Sequence, residues 1–243
     1  TFSQASVGNN LVVTAANTIS GSAASNYSLT LPTVTAKINP LALTVTGVTV
    51  ADKTYDGTTA AVFTSTGTLS SALSGDTVSI ASAGNTASFN SANVGYSSGV
   101  VSPVAVNISL KTAGASANNY IITSPTSVVA TINPLSITLT GATVATKVYD
   151  GTTSATIISL GTSLNGVLSA DTALVSATAG SGSAFFNSAN VNRTGGTATG
   201  TVIAQNATIT GVTLNGSKAG NYVVASSSAT GTITPAALTV TAD

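Results

Sequence analysis

The sequence predicts an all-β protein made of antiparallel β-sandwich domains that follow one another along the chain. Three observations predict it. Apolar residues alternate with small polar ones at period two almost throughout, turn-forming clusters break the chain every 8–12 residues or so, and no amphipathic helical window of useful length occurs. Thr and Val, both favoured in strands, dominate the alternating stretches. A third level of order lies above the strands, because whole blocks recur about every hundred residues.

The alternation is clearest in "LALTVTGVTV", where Leu41, Leu43 and Val45 interleave with Ala42, Thr44 and Thr46. In "VAVNISLK", Val104, Val106, Ile108 and Leu110 interleave with Ala105, Asn107, Ser109 and Lys111. Each pattern gives one buried and one solvated face. The clusters "YDG", "SGD", "AGN" and "NSAN" supply the turns, so each block holds about seven or eight short strands, and an Ig-like two-sheet sandwich is the natural closure.

The blocks are aligned by several landmarks in constant order. Ile38-Asn39-Pro40 returns as Ile132-Asn133-Pro134 and as Ile233-Thr234-Pro235. Asn26-Tyr27, Asn119-Tyr120 and Asn221-Tyr222 precede them; "LSGDT" at 73–77 matches "LSADT" at 168–172, and "FNSANVG" at 89–95 matches "FNSANVN" at 186–192. On this alignment residues 1–39 are the C-terminal part of one repeat, 40–134 and 135–234 are complete repeats, and 235–243 is the first strand of another. Such a period is too long for a solenoid unit and fits a tandem, elongated array of domains, at roughly 35–45 Å per unit. Pro40, Pro134 and Pro235 stiffen the hand-over from one domain to the next.

Composition narrows the function. Charged residues make up 5% of the 243-residue chain against about 25% in an ordinary domain, and six basic residues balance six Asp at zero net charge. No nucleic acid or anionic membrane is therefore expected as a partner. Cys, His, Met, Trp and Glu are absent, which removes disulfides, imidazole ligands and Ser-His relays. No G-x-S-x-G, S-x-x-K or phosphate-binding loop is present, and no run of about 20 apolar residues spans a bilayer. The expectation is a protein with no catalytic residues and no membrane insertion.

The recurring polar motif is "KTYDGTT" at 53–59, repeated as "KVYDGTT" at 147–153. It nominates Lys53, Tyr55, Asp56 and Gly57, with Lys147, Tyr149, Asp150 and Gly151, as a structural corner. Gly accepts positive φ, Asp bonds backbone amides two residues on, Lys covers apolar surface or pairs with an Asp, and each Tyr lays its ring over the sandwich edge with its hydroxyl bonded. Two chemical alternatives stand beside that one. A Lys could form an amide cross-link with a recurring Asn (Asn90/Asn187 or Asn93/Asn190) assisted by an Asp. A Ca²⁺ ion could sit at Asp56/Asp150 or Asp76/Asp171, although six to eight oxygens are needed and each repeat has only two recurring Asp, so no cofactor is expected.

The motifs "KTYDGTTAA" and "KVYDGTTSA", then "LSGDT/LSADT", "FNSANVG", an "NY" strand and a closing "ATINP", together resemble the YDG repeat family of very large bacterial secreted proteins. Haemagglutinin-like adhesins and biofilm-matrix proteins are its usual hosts. The resemblance implies Ig-like modules strung into a stalk or fibre outside the cell, with no catalytic residues. Family members commonly carry more charge than this chain. Strand edges here have little of the Lys, Glu and Pro that normally block edge pairing, so the expected partners are the chain itself or neighbouring repeats in a fibre. The second expectation is a module binding surface polysaccharide or a receptor. Against it, aromatics are 5% of the chain and most of the six Tyr recur at structural positions; Tyr96 is the exception, and one unpaired Tyr is weak evidence for a binding platform.

Overall fold

The computed structural model describes residues 1–161, 163–179 and 182–241. Ala242 and Asp243, at the end of the 235–243 segment read as an opening strand, lie outside the described residues. The chain is all-β, with no α-helix among the described residues and only five three-residue 3-10 turns, among them Ala117–Asn119, Ser169–Asp171 and Ala219–Asn221. Among the described residues no helix is long and apolar enough to cross a membrane.

The chain folds as two compact units. Unit 1 comprises Thr1–Ala51, Ala60–Asn90 and Ala105–Ala130; unit 2 comprises Asp52–Thr59, Ser91–Val104 and Thr131 onward. Sequence repeats and compact units are thus different divisions of the chain. The corner at 52–59 and residues 91–95 of the FNSANVG stretch, both from the block read as 40–134, are built into unit 2, whereas Phe89 and Asn90 stay in unit 1.

In unit 1 the Leu41–Val50 strand is central. It runs antiparallel to Phe63–Leu69 and parallel to Tyr120–Thr123, with Tyr120 opposite Leu41. A second sheet orders Val129–Ala130, Val104–Ser109 and Thr86–Phe89. The inward residues of both are buried: Leu43 and Val45 from the first, Phe89 and Val106 from the second. Gly8–Val13 pairs antiparallel with Val34–Ile38.

Unit 2 contains a continuous seven-stranded sheet. Its order is Ser154–Ala155, Ser183–Phe186, Gln205–Thr210, Tyr222–Gly231, Leu135–Val144 and Ile157–Ser159, with Ser163–Asn165 also on Leu135–Val144. Leu139, Ala142, Val144, Ala184, Phe186, Ala207, Ile209, Ala229 and Ile233 form its core. Burying Phe186 alone is worth roughly 1.5–3 kcal/mol of transfer free energy.

The all-β expectation holds, but purely antiparallel pairing does not. Leu135–Val144 runs parallel to Tyr222–Gly231, as Leu41–Val50 does to Tyr120–Thr123, and each corner strand pairs parallel with the strand before the next proline: Lys53–Thr54 with Ile132–Asn133, and Lys147–Val148 with Ile233–Thr234. Alternation specifies which face of a strand is buried and is silent about the direction of its neighbour.

Candidate functional site

The two corners share the same backbone turn and the same Lys–Asp pairing, but the expectation that each tyrosine hydroxyl is bonded holds, among the described residues, at Tyr55 and not at Tyr149. Gly57 and Gly151 each sit at φ +77°, the left-handed region that a side chain enters at a cost. Asp56 Oδ1 accepts from the Thr58 backbone N–H and hydroxyl at 2.9 Å each, and Asp150 repeats both bonds with Thr152. Lys53 Nζ lies 2.7 Å from Asp56 Oδ1, and Lys147 Nζ the same distance from Asp150. The Lys147 bond, with those of Thr152, holds the Asp150 carboxyl down at about 2. Burial works the other way at Asp56, but the Lys53 and Thr58 bonds prevail and its carboxyl also lies below the usual range.

The tyrosines of the two corners differ. Tyr55 is 2% exposed and its hydroxyl donates to Asp171 Oδ2 at 2.8 Å, across 116 residues of sequence. Tyr149 is 43% exposed and its hydroxyl has no partner among the described residues. One tyrosine is therefore a buried plug, and the other presents its ring to solvent.

Asp171 is the centre of the Tyr55 site. It ends the 3-10 turn Ser169–Asp171, is 5% exposed, and its Oδ2 also accepts the Tyr222 hydroxyl at 2.7 Å. The Tyr55 and Tyr222 rings meet edge to face, with centroids 5.5 Å apart and planes at 76°, an arrangement that adds to their burial. A buried carboxylate needs donors to offset its lost hydration, and two phenols meet that need here. The Tyr222 bond in particular, with that of Tyr55, holds the Asp171 carboxyl below its usual range although burial opposes it. Burial first, then the Asp171 bond, pushes the Tyr222 hydroxyl up to about 12, and the Tyr55 hydroxyl is raised for the same reasons.

The FNSANVG loop closes the site. Buried Asn221 accepts from the Val94 N–H at 2.9 Å and donates to Asn93 Oδ1 at 3.0 Å, where Lys218 also donates at 2.9 Å. The Tyr96 hydroxyl donates to the Gly220 carbonyl at 2.7 Å, which gives this tyrosine too a local partner. The corner is tied in through its backbone: the N–H groups of Lys53 and Tyr55 donate to the carbonyls of Thr131 and Asn133 at 2.9 and 2.8 Å.

At each corner the Lys and Asp of the motif pair beside the glycine turn, but the motif names no acceptor for Tyr55. Asp171, a possible cation ligand on sequence grounds, instead accepts two phenols through its Oδ2. The in-phase recurrence of "LSxDT" with "NY" was the available signal, since Asp76 and Tyr120 make the same bond in unit 1 at 2.5 Å. Among the described residues no group of three or more His, Cys, Asp or Glu could hold a metal ion. As for the cross-link alternative, among the described residues no hydrogen bond joins Lys147 to Asn187 or Asn190. Lys147 donates to Thr152 and Ser154 beside Asp150, while Asn187 accepts from Thr208 and the Asn190 carbonyl from Gln205.

The YDG domain family matches residues 39–128 and 133–230, which takes in both corners and both Asp-Tyr pairs. The chain belongs to the YDG domain family. No curated protein and no solved structure matches it. The two matches in this YDG chain begin next to the Asn39-Pro40 and Asn133-Pro134 landmarks.

Proposed function

We propose that this YDG chain is a structural module of an extracellular bacterial adhesin or fibre, serving as stalk or as self-assembling matrix element. Its domains are read as Ig-like sandwiches in an elongated tandem array. The observation that carries the reading is the Tyr55–Asp171 bond, which builds the corner of the first repeat into the same compact unit as the repeat that follows. A spacer needs its modules coupled in series without slack, and a buried, charge-assisted bond beside two parallel-strand hydrogen bonds supplies that coupling. The near absence of charge supports the matrix role, because strand edges with few Lys and no Glu are poorly guarded against pairing with other chains. The reading assigns no catalytic residue, no cofactor, and no nucleic-acid or membrane partner.

Immunogold electron microscopy of intact source cells with antibodies to this chain tests it. Label along filaments or matrix outside the envelope is the expected result. Label that appears only after the cells are permeabilised overturns the extracellular role.

A further inference from the structure

Unit 1 contains the same receptor that Tyr55 fills in unit 2, but with no corner in it. Tyr120 donates to Asp76 as Tyr222 does to Asp171, the Leu73 N–H donates to the Tyr120 hydroxyl as that of Leu168 does to Tyr222, and the Val7 N–H donates to Asn119 as that of Val94 does to Asn221. Where Tyr55 would stand there is a cavity of about 130 Å³, lined by Val7, Ile38, Leu73, Asp76, Asn119 and Tyr120 among others. A cavity of about 150 Å³ accommodates a benzene ring, so this space is on the scale of a phenol side chain.

Exposure follows occupancy. Val94, Asp171 and Asn221 are buried around Tyr55, and Leu168, which lies against Gly57, is half-buried. Their counterparts Val7, Asp76 and Asn119 are only half-buried, and Leu73 is 63% exposed. The backbone dock is also present. Ile132–Asn133 takes the Lys53–Thr54 strand in parallel, whereas the corresponding Val34–Ile38 strand pairs, among the described residues, with Gly8–Val13 alone.

We propose that the Asp76 cavity is a receptor for the YDG corner of a further repeat, which enters as an extended segment. The segment adds in parallel beside Ile38–Asn39 and its tyrosine hydroxyl donates to Asp76, the strand-addition mode of peptide recognition with one aromatic anchor. The occupant must be extended and unpaired, because a corner such as Lys147–Val148 already has Ile233–Thr234 in the position that Ile38–Asn39 would take. This inference rests on the reading of the repeats as modules that dock in series.

The test is a titration of the full, isotope-labelled chain with a capped peptide of the sequence of residues 51–60, followed by NMR. Saturable one-to-one shifts at Val7, Leu73, Asp76, Asn119 and Tyr120 are expected. The same peptide with phenylalanine in place of tyrosine should bind about tenfold or more weakly, the usual effect of losing a hydrogen bond to a charged acceptor. Asp76→Asn in the chain should weaken the tyrosine peptide to a similar degree; the peptide exchange on the unaltered chain keeps the test decisive if that variant misfolds. Unmoved resonances in unit 1, equal affinity for both peptides, or shifts confined to Leu168 and Asp171 would overturn the proposal. Such a failure would leave the extracellular spacer reading intact, since immunogold labelling judges that independently.

Discussion

Asp171 carries two phenolic hydroxyls on one carboxylate oxygen, and this sets what single-residue changes do to unit 2. Tyr55→Phe keeps the ring packed on Tyr222 but removes one donor from a buried charge. The expected cost is about 1.5–3 kcal/mol, read by urea unfolding, and a change within error would show that the Tyr55 hydroxyl contributes nothing to stability. The same residues set the pH dependence. The folded state holds the Asp171 carboxyl below its unfolded value of about 4, so this contribution is complete above about pH 4 and is lost as pH falls through the lower folded value. Tyr222 is raised, so its contribution is complete below about pH 10 and disappears as pH climbs from about 10 to about 12. Unfolding free energy measured across pH should therefore be flat through neutrality and fall at both ends, and a steep change between about pH 5 and 9 would contradict it. The corner itself was legible in the sequence because Lys, Asp, Gly and Thr act on neighbours within a few residues. The acceptor of Tyr55 was not, because a hydroxyl carries no sign of which distant carboxylate it will meet.

At the scale of elements, alternation placed Leu41–Val50 on a strand with Leu41, Leu43 and Val45 on its inner face, of which Leu43 and Val45 are buried in the structure while Leu41, the first residue of the strand, is 45% exposed. It did not reveal that the first and last long strands of a repeat lie side by side and run the same way, since that depends on how the chain returns and not on any local pattern. The consequence appears at Gly231, which ends the Tyr222–Gly231 strand over the core. A Cβ there would overlap a Val144 methyl and stand 3.1 Å from the Phe186 ring. Gly231→Ala should therefore cost about 1–3 kcal/mol by overpacking, seen as a lower urea midpoint. Gly151→Ala meets open space, so its cost is conformational alone, about 1–2 kcal/mol at φ +77°. If Gly231→Ala proved the milder of the two, the core around Phe186 would be looser than its close packing implies.

The scarcity of charge acts on the whole molecule, and it was fully legible in the composition. Six basic and six acidic residues leave no net repulsion between copies, so their approach is opposed mainly by what guards the strand edges. The Ile157–Ser159 strand ends the seven-stranded sheet, and Ile158 is 69% exposed there. An exposed apolar residue on a terminal strand is the reverse of the lysine that usually protects such an edge. Sedimentation velocity over rising concentration should show growing species for the unaltered chain and a shift toward monomer for Ile158→Lys. Salt should change this little, because screening has almost no net charge to act on. A strict monomer at the highest concentration would remove edge pairing as a route to assembly. The proposed docking of a tyrosine corner at the Asp76 cavity does not use that strand edge, so the peptide titration would still decide it.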